Sequence, residues 1–138
     1  MASGILEEQI LNRPVEVLSR GLVVLFPEPL NQKAEAVMIS NGLKSEGFMS
    51  EQITEEDITD NTLILTMSEE SRQKIFELFP NVEKEDVAVL TEFVGDELEI
   101  LNPYGGNLQA YGICYETLNK SIKKLVKILN EGEEKCQK

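Results

Sequence analysis

The chain has 138 residues, a formal net charge of -12 and no histidine. That length fits one domain around one buried core, and a 41% hydrophobic, 28% charged composition is that of an ordinary globular chain. Zinc sites built from Cys and His, and Ser-His or Cys-His dyads, are excluded by a missing residue type, while the acidity argues against nucleic acid or an anionic membrane surface as partner.

No apolar run approaches the roughly 20 residues that span a bilayer. Met1 to Glu8 has no basic segment before an apolar one, so no secretory signal is read and the expected location is the cytoplasm. Neither a metal nor a cofactor is expected.

In chain order, residues 2–11 read as a short helix with Ile5, Leu6, Ile10 and Leu11 on one face, broken at Pro14. Val15, Val17 and Leu18 open an extended segment. Gly21 to Phe26 is an apolar run of strand type, closed by Pro27 and Pro29. Asn31 is placed to cap a helix whose buried stripe is Ala34, Val37, Met38 and Ile39, with Gly42 as a left-handed stop. Thr54 and Asp57 have capping-box spacing and predict one helical turn.

Thr62 to Met67 reads as a strand buried on both faces. Ser68 then caps a helix carrying Ile75, Phe76, Leu78 and Phe79, which ends at Pro80. Val87 to Leu90 is a second buried strand, followed by an acidic loop from Gly95 to Glu99. The last helix carries Leu108, Tyr111, Tyr115, Leu118, Ile122, Leu125, Val126 and Leu129 at helical spacing. Gly132 is its expected stop, with residues 132–138 a frayed tail. Strands alternating with helices imply parallel pairing through right-handed crossovers. With no repeat, low-complexity block or linker, residues 1–138 read as a single domain.

Five stretches then stand in order: Ser19-Arg20-Gly21, Glu28 to Ala34, Ile53 to Asp57, Leu63 to Met67, and Asn102-Pro103-Tyr104-Gly105-Gly106-Asn107-Leu108 with Tyr111 after it. Together, over about residues 1–130, the chain resembles the low-molecular-weight protein tyrosine phosphatases. The resemblance implies an α/β fold of phosphotyrosine phosphatase I type: a small, doubly wound, mostly parallel sheet flanked by helices. It also implies a hydrolase of phosphate monoesters, with Tyr104 and Ser19 as ligand-binding positions and a phosphoprotein or phosphate anion as partner.

Two departures qualify that activity. The family's signature is a loop Cys-(x)5-Arg-Ser-Pro after its first strand, and Met1 to Leu6 resembles the start of the helix that follows this loop. The first, central strand and the loop are therefore missing from these residues or replaced. A thiolate must attack phosphorus, and backbone N–H groups with an arginine fork must hold the equatorial oxygens. The two cysteines are Cys114 and Cys136, and the three arginines are Arg13, Arg20 and Arg72. No arginine lies six residues after a cysteine, and at that offset from Cys114 stands Lys120, inside the same helix. A second register, with Leu22 to Phe26 as the first strand and Pro27 to Lys33 as the loop, supplies neither residue type. The other departure is Asn102, where the family has the aspartate that protonates the leaving group. An amide cannot do this, and general acid catalysis is worth roughly 10²–10⁴-fold.

The expectation is thus a phosphatase-like protein, a pseudoenzyme in this form. One alternative is a truncated form of a genuine tyrosine or arginine phosphatase whose loop precedes Met1. A second is an unrelated α/β module such as a phosphocarrier or receiver-like domain. A missing central strand leaves edges to be filled by Leu22 to Phe26, by a second copy in a homodimer or swapped arrangement, or by water or another partner in the gap. Gly105-Gly106 could present N–H groups to an anion or simply start the helix. Tyr104 and Tyr111 could line a cleft or act as half-buried packing residues.

Overall fold

The structure is a computed structural model that describes residues 1–7, 9, 11, 15–22, 24–44, 47–59, 61–96 and 100–136, with side chains to residue 131. The elements are helix α1 (Ala2–Glu7), helix α2 (Gln32–Ser40), a 3-10 turn (Glu55–Asp57), strand β1 (Ile64–Thr66), helix α3 (Glu69–Leu78), a second 3-10 turn (Lys84–Asp86), strand β2 (Val87–Val89), helix α4 (Leu90–Val94) and helix α5 (Leu108–Cys136). Strands β1 and β2 are parallel, pairing Ile64 with Val87, Leu65 with Ala88 and Thr66 with Val89. The fold is α/β, a small parallel sheet flanked by helices. Among the described residues, no helix is long and apolar enough to cross a membrane.

Helix α5 is the spine. Its stripe Cys114, Leu118, Ile122 and Leu125 is buried together with Ile5, Leu90 and Ile100, and Tyr111 forms a second cluster with Ala34 and Val37 of α2. Helices α1, α2 and α4 lie against α5, while α3 lies against β1 and β2. Leu65 and Met67 reach the α5 cluster. Side chains alternate along a strand, so Thr66 points the other way, and its hydroxyl donates to the Ser68 carbonyl at 3.0 Å.

The local start signals act as their chemistry demands. The Asn31 side chain accepts the N–H groups of Lys33 and Ala34, and the Ser68 hydroxyl accepts that of Ser71. The Thr54 N–H donates to Asp57 Oδ2 at 3.1 Å, fixing the expected turn. Gly42 has φ 73° and closes α2 in the left-handed region.

Several expectations need correction. The run Gly21 to Phe26 is not a strand among the described residues: Gly21 makes one isolated parallel bridge to Gln52, and Leu25 and Phe26 are 87% and 64% exposed. An apolar run becomes a strand only when a neighbour satisfies its backbone, and Pro27 and Pro29 remove donors directly after it. Leu22 to Phe26 therefore does not fill a central slot, which also removes the second register. Val15 and Leu18 are likewise exposed. Strand β1 is shorter than Thr62 to Met67, and Leu63, just before it, is 38% exposed, while within β1 Ile64 and Leu65 are half-buried and Thr66 is buried.

Strand β2 ends at Val89, because Leu90 opens α4. Helix α1 stops at Glu7, leaving Leu11 half-buried beyond it; Ile10, Arg13 and Pro14 lie outside the described residues. Ile39 and Leu108 are exposed rather than part of the buried stripes. Helix α5 passes through Gly132 to Cys136: a helical glycine costs only about 1 kcal/mol relative to alanine, and the helix formers Glu133, Glu134 and Lys135 follow it. Of the acidic loop, Glu97 to Glu99 lie outside the described residues.

Candidate functional site

The segment from Asn102 to Leu108 is a turn built from its own residues. Asn102 Oδ1 accepts the Tyr104 N–H at 3.0 Å, an Asx turn. Gly105 takes φ 82°, where a side chain would be strained. The Gly106 N–H donates to the Pro103 carbonyl at 2.8 Å. The Asn107 side chain accepts the Ala110 N–H at 2.9 Å and starts α5. The Tyr104, Gly106 and Ala110 N–H groups are thus spent within the turn, which leads directly into α5. Lys33 Nζ donates to the Gly106 carbonyl at 2.6 Å and ties the start of α2 to the turn.

The sequence-derived positions do not converge through bonds. Tyr104 is 83% exposed, neither lining a walled cleft nor half-buried. Tyr111 is 4% exposed and serves the core. Ser19 is exposed, and its carbonyl accepts the neighbouring Arg20 Nη1 at 2.8 Å. Among the described residues, no hydrogen bond or ion pair joins Ser19, Asn102 and Tyr104 to one another. Asn102 Oδ1 is already committed to backbone.

Both described arginines are also committed. Arg20 Nε donates to Asp57 Oδ2 at 3.1 Å, and its Nη2 lies 3.6 Å from Glu51 Oε2. Arg72 donates to the Val87 carbonyl and to Glu69 Oε1, and stacks at 5.0 Å over the Phe76 ring. Each guanidinium thus already spends donors on groups of its own chain. Cys114 is buried, and burial pushes its thiol above the ordinary value. A helix-embedded thiol of that kind is a poor nucleophile at neutral pH.

A groove of about 510 Å³ lies between α2 and α5, with Val37, Gly112 and Tyr115 among its walls, and none of its lining residues is a cysteine or a basic group. Among the described residues, no cluster of three Asp, Glu, Cys or His side chains could hold a metal ion.

With the architecture and this turn in view, the chain can be set beside known proteins. The family model for low molecular weight phosphotyrosine protein phosphatase matches residues 1–135. The chain belongs to that family. It is 31% identical to the low molecular weight protein-tyrosine-phosphatase PtpB of Staphylococcus aureus over 129 residues, which is 94% of this chain and 88% of that protein. It is 29% identical to a protein-arginine-phosphatase of Geobacillus stearothermophilus, over 94% of this chain and 86% of that one. The solved structure of the YwlE arginine phosphatase from Geobacillus stearothermophilus superposes with a TM-score of 0.88 at 27% identity, covering 97% of this chain and 86% of that chain. The resemblance carried by the five stretches is thus a family relationship.

Sequence reasoning missed the long-range polar ties of this phosphatase-family chain. Ser121 is fully buried inside the apolar stripe of α5 and donates to Asp96 Oδ2 at 2.6 Å, while Lys124 pairs with Asp96 Oδ1. Those bonds hold the Asp96 carboxyl below the usual carboxylate range, the Lys124 bond most strongly. A hydroxyl set among Leu118, Ile122 and Leu125 was the one legible sign that a partner must exist. The carboxyl of Asp57 is also lowered, first by the Thr54 N–H and then by Arg20. Nothing in the sequence marks Arg20 and Asp57, 37 residues apart, as partners.

Proposed function

We propose that this phosphatase-family chain, as the 138-residue polypeptide, is a pseudoenzyme that does not transfer phosphoryl groups. One observation carries the reading: Cys114 is buried in α5 with a raised thiol, and Arg20 and Arg72 are each already paired with a carboxylate of the same chain. Cys136 is the last residue of the same helix. Covalent phosphoryl transfer needs an accessible thiolate and a free cationic fork around the same phosphorus, and Asn102, at the position the resemblance gives to the general acid, donates no usable proton. The test is hydrolysis of para-nitrophenyl phosphate and of a phosphoarginine peptide by this polypeptide. Both are expected at the buffer rate, and Asn102→Asp is expected to restore nothing. Turnover above buffer that disappears in Cys114→Ser overturns the reading.

A second reading rests on the open edge of β1. Among the described residues this strand pairs only with β2, and an apolar strand with a free edge invites a further strand. In this reading the native product carries a strand and a phosphate-binding loop before Met1 and is a working tyrosine or arginine phosphatase. The coding sequence directly upstream of Met1 decides it: an in-frame Cys-(x)5-Arg-Ser-Pro supports it, and a stop codon there ends it. The same edge supports a homodimer, for which light scattering that returns a stable monomer at high concentration is the contrary result.

A further inference from the structure

Helix α5 carries a charge pattern foreign to the rest of the molecule. No acidic residue stands between Glu116 and Glu131, whereas four lysines do, in a chain of 25 acidic and 13 basic residues. Lys120, Lys123 and Lys127 are exposed, and their spacing of three and four residues puts them on one helix face. Lys124 is turned aside to pair with Asp96, and Lys120 lies near enough to that carboxylate to act on it electrostatically. Glu116 and Glu131 each stand four residues from a lysine of the stripe. Among the described residues, however, no ion pair joins either of them to Lys120, Lys123 or Lys127. Like charges three and four residues apart repel along a helix, and among the described residues the one carboxylate found to act on any of the three is Asp96, through Lys120.

We propose that this face of α5 docks an acidic segment of a partner protein, with Lys120, Lys123 and Lys127 as its contact residues. Charge complementarity selects the class. At about 1.5 Å of rise per residue, the row from Lys120 to Lys127 is about 10 Å long, close to the Debye length of about 8 Å at physiological salt. An extended segment advances about 3.3 Å per residue, so about four residues rich in Asp and Glu cover the row and end where its charge ends. A long polyanion would continue past Glu116 and Glu131 onto a molecule of net charge -12 and be repelled there. Complementarity of this kind governs association rate and salt dependence.

The test uses the whole chain and a fluorescent eight-residue peptide alternating Glu and Ser, followed by anisotropy at 20 and 200 mM salt. Binding is expected at low salt, weakening at least tenfold at high salt. The Lys120→Gln/Lys123→Gln/Lys127→Gln variant, its fold checked by circular dichroism, is expected to lose at least tenfold in affinity. A charge-matched control, Lys44→Gln/Lys74→Gln/Lys84→Gln, is expected to bind as the parent does. Equal loss in both variants would reduce the effect to net charge and overturn the proposal. So would unchanged binding in the α5 variant, or tighter binding to a twelve-nucleotide single strand or to anionic vesicles than to the peptide. Self-association of the parent that the α5 variant abolishes would also overturn it, by assigning the face to a second copy.

Discussion

The part of the molecule gathered on α5, with α2 in it, and the extended stretches 15–30 and 48–53 are built to different standards. Around α5, Ile5, Leu90, Leu118, Ile122 and Leu125 are each 4% exposed or less, and the fully buried hydroxyl of Ser121 has a carboxylate partner. In the extended stretches, Leu18, Leu25, Phe26 and Met49 face solvent. Between these stretches, order rests on two isolated bridges, Gly21 with Gln52 and Pro29 with Met49, and on single side-chain ties such as Glu28 N–H to Ser50 Oγ at 2.9 Å. A helix satisfies its own backbone and needs a neighbour only for its apolar stripe. An extended segment needs a neighbour for its backbone as well, so apolar residues make a dense core around α5 and a surface in the extended stretches.

The sharpest way to expose that contrast is a pair of truncations. Leu125→Ala is expected to cost about 2–5 kcal/mol in urea unfolding, whereas Leu25→Ala is expected to stay within about 0.5 kcal/mol. Equal losses would erase the distinction.

Next in size is Ser121→Ala, which takes a hydrogen bond from the Asp96 carboxylate and is expected to cost about 1–3 kcal/mol. Arg20→Ala breaks the corresponding tie in the extended stretches. Its partners are partly solvated, with Arg20 22% and Asp57 19% exposed, so a smaller loss of about 1 kcal/mol is expected.

Acid titration gives the smallest effect. Asp57 and Asp96 have folded-state values below the ordinary carboxylate value. Their contribution is therefore complete above about pH 4 and is lost as pH falls through the folded values. Melting temperatures measured from pH 6 down to pH 2.5 are expected to fall less steeply below pH 4 in Asp57→Asn/Asp96→Asn than in the parent. Parallel curves would mean that neither carboxylate is selectively stabilised by the fold.

The candidate site divides along the same line. The Asn102 to Leu108 turn was readable because the bonds that shape it join residues two or three apart, whereas its tie to Lys33 was not. That Ser19, Asn102 and Tyr104 stay unlinked, and that Arg20 is already engaged, depends on chain segments far away in sequence. Leu22 to Phe26 has the composition of a strand and became none, because composition states a preference and a strand also requires an edge to join.

By itself the sequence determined helices α1, α2, α3 and α5 though not α4, the helix starts at Asn31 and Ser68, the stripe of α5, the family resemblance and the absence of a Cys-(x)5-Arg loop within these residues. All of these follow from residue types, or from bonds spanning a single turn. Tertiary structure alone decided the pairing of Ile64–Thr66 with Val87–Val89, the engagement of Arg20 by Asp57 and the seating of Ser121 on Asp96. Those partners are brought together by packing on α5 and across the sheet, and no local spacing encodes which distant group will be there.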